Sequence, residues 1–179
     1  GPAIWKFVGL GLRQLVEGCL QTRDAARLEE GMKLYRAYYT QHLLDHTRLF
    51  PQATELLEHF KSRTQAVITN KPNPYARDIL AGLNVVDYFS EIVGGNSEYP
   101  KKPDPGAALA IMQREGALPE QTLLIGDSPI DVEMGRAAKI FTVGVSHGFS
   151  SPKELAASAP DIIVKDFAEL LSRARALNW

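Results

Sequence analysis

Thr122-Leu123-Leu124-Ile125-Gly126-Asp127-Ser128-Pro129-Ile130-Asp131 decides how this chain of 179 residues folds. The apolar run 122–125 has the length of a buried parallel strand. Gly126 lets the chain turn sharply, so Asp127 emerges at the strand's carboxyl end, where open α/β sheets place their ligands. Asp131 falls four residues later, in the first turn of a helix expected over 130–138. A strand tip and a helix start then bring two carboxylates to one point, an oxygen-rich site suited to Mg²⁺. The same two acids are also what a helix dipole favours near its N-terminus, so the stretch alone leaves both readings open.

Working outward, helix and strand alternate on both sides. We expect helices over 51–61, 74–81, 105–115, 130–138 and 167–177, and strands over 65–69, 91–94, 122–125, 140–145 and 161–164. Leu56, Leu57 and Phe60 face inward. Such alternation implies an α/β fold with a doubly wound parallel sheet and right-handed crossovers. Residues 3–47 carry no strand signal and read as a small helical layer, broken near 9–11 and again near 21–22, where Thr22 is the expected cap. Within it Leu28, Met32, Tyr35, Tyr39, His42 and His46 recur at spacings of four and three, forming one stripe on one helix face. The expected division is 1–47 for the helical part and 48–179 for the α/β core.

Bulk properties narrow the function. The chain is 45% hydrophobic, enough for one α/β domain or a core with a small accessory layer, and its net charge of -1 comes with no basic block. Nucleic acid and anionic membrane are therefore poor partners. No apolar run approaches a membrane span and the start shows no signal-peptide pattern, so a cytoplasmic setting is expected. Gly1-Pro2 reads either as a cleavage scar or as a helix start. Cys19, the single cysteine, shares a helix face with Leu12, Leu15, Val16 and Leu20 and is expected to be a reduced core residue.

Two further loops carry polar chemistry. The strand Ala66-Val67-Ile68 runs into Thr69-Asn70-Lys71-Pro72, whose hydroxyl, amide and backbone N–H groups can cradle a phosphate, although a plain strand-to-helix turn favours the same residues. Lys101-Lys102-Pro103-Asp104-Pro105 then holds a lysine pair in a proline-stiffened loop, where a cation near a phosphate neutralises charge.

Taken in order, the strand ending in Thr69-Asn70, the Lys102-Pro103 loop and the strand ending in Gly126-Asp127-Ser128-x-x-Asp131 resemble motifs II, III and IV of the haloacid dehalogenase-like hydrolases. The runs 67–72, 93–95, 102–105 and 125–128, with Gly135-Arg136-Ala137-Ala138 and Val143-Gly144-Val145, are similar to the phosphoglycolate phosphatase branch. The resemblance implies that Thr69 binds the transferring phosphoryl group, that Lys102 bridges it to the nucleophile, and that Asn70 adds a substrate contact. It also implies that Asp127 holds Mg²⁺, that Asp131 completes or supports its shell, and that the helices after Gly9 and Gly11 form a small cap. The implied function is Mg²⁺-dependent hydrolysis of a small phosphorylated metabolite, with 2-phosphoglycolate the best guess, through an aspartyl-phosphate; a monomer or homodimer is expected.

The family's first motif, an apolar strand ending in Asp-x-Asp-x-Thr, does not occur in these 179 residues. Ile162-Ile163-Val164-Lys165-Asp166 has one acid only and fits the family's last strand. By the resemblance, the first strand lies between those carrying Thr69 and Asp127, so without it two strands keep unpaired backbone groups. The strand is then supplied by residues beyond this sequence, supplied by another chain, or lost. In the last case the chain is an inactive fragment or a phosphate- or partner-binding protein. Three other candidates are weaker: His42 and His46 at metal-ligand spacing but lacking a third ligand, His147 in a loop near the site, and Arg13 at a helix start, able to meet a substrate carboxylate.

Overall fold

The computed structural model describes residue 7 and residues 11–179; the expectations for Gly1-Pro2, Gly9 and the helix start near residue 3 lie outside the described residues. α1 (Leu12–Leu20) and α2 (Ala25–Gln41) pack together as a helical layer. They close on their own cluster of Val16, Leu28 and Met32, with Leu12 and Tyr35 packed against it. Side chains of α1 lie directly over Gly31, where a Cβ would crowd those of Val16 and Leu20. The cap of α2 is Asp24 and not Thr22: Asp24 Oδ1 accepts the Arg27 N–H at 2.8 Å, while Thr22 Oγ1 accepts the Asp24 N–H one step upstream, at 3.2 Å. Aspartate's carboxylate also suits the helix dipole, which a threonine hydroxyl does not exploit.

Two further expectations for this layer fail. Cys19 is exposed: it shares a face with Leu12 and Val16 but lies in the last turn of α1, next to its end at Leu20. The stripe also ends early: α2 stops at Gln41, His42 closes it by donating its N–H to Tyr39 O at 3.1 Å, and residues 42–46 run as bends. His42 stacks on Tyr38 and its Nδ1 lies 2.6 Å from Asp45 Oδ2. His46 is exposed.

The remaining elements follow the expected alternation, with one unexpected short helix, α7, between the last two strands: α3 (Ala53–His59), β1 (Ala66–Ile68), α4 (Tyr75–Gly82), β2 (Glu91–Val93), α5 (Gly106–Glu115), β3 (Leu123–Gly126), α6 (Pro129–Ala137), β4 (Phe141–Val145), α7 (Pro152–Ala157), β5 (Ile162–Val164) and α8 (Phe167–Leu177). Every strand pairing is parallel. β4 shows why the fold is doubly wound. Val143 and Val145 point to a cluster with Leu56, Leu170 and Leu171 from α3 and α8. Thr142 and Gly144 face the other side, against Gly135 of α6 and Leu155 of α7.

The strands fall into two sheets, β1-β2 and β3-β4-β5. Among the described residues no ladder joins β1 to β3. Helix α5 spans the break, because Ala108 and Met112 cluster with Ala138 and Ile140, and both Ile68 of β1 and Leu124 of β3 pack against that cluster. The break leaves its mark on burial. Ala66 is exposed and Ile125 is 38% exposed, whereas Thr142, Val143 and Val145 on β4 are buried. Among the described residues no helix is long and apolar enough to cross a membrane.

Candidate active site

The carboxyl ends of β1, β2 and β3 converge on a continuous polar chain. At the end of β3, Gly126 leads into the turn that starts α6, and Asp131 folds back on it. Asp131 Oδ2 accepts the Ser128 N–H at 3.2 Å and the Ser128 hydroxyl at 2.5 Å. A Cβ at position 126 would overlap the Asp131 side chain, so glycine is required here for contact and not for its backbone angles. The other oxygen, Asp131 Oδ1, accepts from Lys102 Nζ at 2.7 Å. This ion pair is well shielded, with the two side chains 13% and 8% exposed, where its charges act strongly on each other.

Lys102 is aimed by Asn70. The Lys102 N–H donates to Asn70 Oδ1 at 2.9 Å, and Asn70 Nδ2 donates to Lys102 O at 3.3 Å. Asn70 is buried, so its amide grips the Lys102 peptide from both sides, and its tie to the site runs through that lysine. One residue earlier, the Thr69 N–H extends the β1-β2 ladder to Val93 O at 2.9 Å, and Thr69 Oγ1 accepts the Lys71 N–H at 3.1 Å. That bond uses a lone pair and keeps the hydroxyl proton for an incoming oxygen.

Asp127 sits beyond the β3 tip. Its Oδ2 accepts the Phe149 N–H at 2.9 Å, and the loop passes so close that a Cβ on Gly148 would overlap the carboxylate. No hydrogen bond to Asp127 Oδ1 occurs among the described residues. The described residues contain no group of three or more His, Cys, Asp or Glu able to hold a metal by themselves. Mg²⁺ asks for less, because it keeps several waters and takes one or two carboxylates plus phosphate oxygens. Asp127, with one oxygen left without a hydrogen bond, and Asp131 four residues on supply the one or two carboxylates that this demand needs.

The structure gathers Thr69, Asn70, Lys102, Asp127 and Asp131 at one edge, and leaves the weaker candidates out of it. Arg13 runs along the helical layer, 4.0 Å from Glu29 Oε1, with both side chains mostly exposed. His147 is stacked on Phe50 at 4.1 Å and meets the edge of Phe167 at 4.8 Å, as part of an aromatic packing group. Sequence reasoning missed Ser128 as the Asp131 anchor, although Ser-x-x-Asp at a helix start signals a capping box. It also missed Gly148 and Phe149, whose approach to Asp127 has no local signature.

Comparison with known proteins identifies the family. Residues 3–145 match the family model described as haloacid dehalogenase-like hydrolase. The phosphoglycolate phosphatase of Pectobacterium atrosepticum is 33% identical over 171 residues, covering 92% of this chain and 73% of the relative. That of Salmonella typhimurium is 36% identical over 141 residues, and the match spans only 56% of its length. Among solved structures, a predicted phosphoglycolate phosphatase from Haemophilus somnus superposes with a TM-score of 0.88 at 29% identity, covering 96% of this chain and 80% of that one. A haloacid dehalogenase-like family hydrolase from Streptococcus pneumoniae gives 0.80 at 26% identity, over 96% and 80%.

Proposed function

The chain belongs to the haloacid dehalogenase-like hydrolases, and from that premise we propose that it performs Mg²⁺-dependent hydrolysis of a small phosphomonoester, with 2-phosphoglycolate as the leading candidate. The observation that carries the reading is the chain Asn70, Lys102, Asp131, which fixes a shielded cation next to the residue that follows Thr69 and against the carboxylate at the start of α6. Phosphoryl transfer asks a protein mainly for positioning and charge neutralisation, and this set supplies both. Thr69 donates to a phosphoryl oxygen, and Lys102 offsets the charge on the transferring group. Asp127 and Asp131 hold the Mg²⁺, which when bound neutralises further phosphoryl charge. The α1-α2 layer, with its own core, serves as the cap, and residues 48–179 as the catalytic core. A cytoplasmic setting, where small phosphorylated metabolites are found, belongs to the same reading.

The nucleophile is the remaining part. We place it on a parallel strand between β1 and β3, whose facing edges make no ladder with each other and whose apolar residues are only partly covered. The second reading, a phosphate-binding protein without turnover, is favoured by the lack of an Asp-x-Asp-x-Thr strand in these 179 residues. One experiment separates them. In the full chain with Mg²⁺ and 2-phosphoglycolate, turnover is expected and Asp127→Asn is expected to abolish it. Full activity in Asp127→Asn would show the metal assignment to be wrong, and phosphate binding without any turnover by the unmodified chain would select the second reading.

A further inference from the structure

Lys71 follows the Thr69-Asn70 corner directly, yet its side chain has no part in the reading above. It is half-buried and turns towards the helical layer. Its Nζ donates to the Tyr39 hydroxyl and lies 4.6 Å from the centre of the same ring. Tyr39 is in turn fixed by two other rings: it stacks on Tyr35 at 5.2 Å and meets Tyr75 edge-on at 5.5 Å. The Tyr35 hydroxyl is pushed above its usual pKa by burial and by the neighbouring Tyr39 and Tyr75, so this tyrosine stays neutral at physiological pH.

A half-buried ammonium ordinarily acquires a carboxylate. Among the described residues, no Asp or Glu forms an ion pair with Lys71. A phenol oxygen and a π face orient a cation without neutralising it. Lys102, the neighbouring cation, is already matched by Asp131. Lys101, the other lysine of that loop, is exposed to solvent, so the half-buried positive charge left unmatched at this corner is that of Lys71, two residues from the hydroxyl assigned to the phosphoryl group. The Cα atoms of residues two apart lie within about 7 Å, which keeps both side chains within reach of one small substrate carrying two anionic groups.

We propose that Lys71 determines specificity by receiving the substrate's second anionic group, a carboxylate one or two carbons from the phosphoester, with Tyr39 as the positioning residue that holds the ammonium from the helical layer. This rests on the phosphatase reading and names the substrate class for it. It also gives the helical layer a chemical task, since the group that orients Lys71 belongs to α2 and not to the α/β core.

The test compares 2-phosphoglycolate with ethyl phosphate, which replaces the carboxylate by a methyl group. Binding is measured by calorimetry and turnover by phosphate release, on the full chain with Mg²⁺. Lys71→Met is expected to lower the preference for 2-phosphoglycolate about tenfold or more, the loss of one charge-assisted hydrogen bond, and to do so through KM and affinity. Lys71→Arg should restore most of it, and Tyr39→Phe should lower it about threefold. An unchanged preference in Lys71→Met overturns the proposal, as does an unmodified chain that binds both esters equally or neither. A chain that binds 2-phosphoglycolate preferentially but hydrolyses neither ester overturns the phosphatase reading, while the binding ratio still decides on Lys71.

Discussion

Asn70 illustrates how much one buried amide can do. It makes two hydrogen bonds to the Lys102 peptide, so the lysine's direction is set before any ligand arrives. The partner that Lys102 then meets, Asp131, is nearly inaccessible to water. Removing one member of such a pair leaves an uncompensated buried charge, at a cost of about 3 kcal/mol. Lys102→Met is therefore expected to lower the denaturation midpoint in urea as well as activity, while Lys102→Met combined with Asp131→Leu recovers stability and not activity. Another residue acts far from the site. The Thr142 N–H and then its hydroxyl, both at 2.7 Å, hold the Asp161 carboxyl below its usual range. A depressed carboxyl pKa contributes stability above its unfolded value near about 3.9, and that contribution is lost as pH falls through the folded value. Asp161→Asn should thus unfold more easily than the unmodified protein at pH 7, with the difference shrinking below about pH 4 in an acid titration followed by circular dichroism. At this scale Thr69, Lys102, Asp127 and Asp131 could be read from sequence, because each stands at a strand end or loop with a distinctive neighbour. The Asn70 grip could not, since it joins a side chain to a peptide 32 positions away.

At the scale of elements, caps decide where the helices begin. Asp24 accepts the Arg27 N–H, and truncation of such a cap typically costs about 1 kcal/mol. Asp24→Ala is expected to lose about that much, seen as faster amide exchange across α2 with little change in β4; equal loosening of both would mean that the layer and the core unfold as one. The short helix α7 escaped the sequence reading, yet its start is written in Ser151-Pro152-Lys153-Glu154. Ser151 Oγ accepts the Glu154 N–H at 3.2 Å, and Glu154 Oε2 accepts the Ser151 N–H at 3.0 Å, the reciprocal pattern that a capping box predicts. Its six residues are too few for an amphipathic period to show, which is why only the cap could have revealed it. The overrun of α2 to residue 47 has the opposite cause: the spacing of Tyr39, His42 and His46 mimics a helix face, but the chain has already left the helix at His42.

For the whole molecule, alternation of strand and helix made the class of fold legible, and the order of the motifs made the site legible. What periodicity could not supply is the pairing of strands, because β1 and β3 look alike locally whether or not something lies between them. The expected consequence is measurable. In a chain of these 179 residues, the amides of β1 and β3 that face the break should exchange about a hundredfold faster than those of β4, and protection equal to that of β4 would show the break to be closed.

The polar chain at the site has one more meaning in this light. Asn70 leaves the first sheet, Lys102 follows β2, and Asp131 stands on the helix after β3, so their bonds form a rivet between two half-sheets that share no ladder. Under the proposed function, a phosphate that drew Lys102 towards itself would take that rivet out and would have to stand in for it, touching Thr69 on one half and the β3 end on the other. Ligand would then be a structural member of the molecule, and the tightness with which product is retained would report how firmly the two halves are held together.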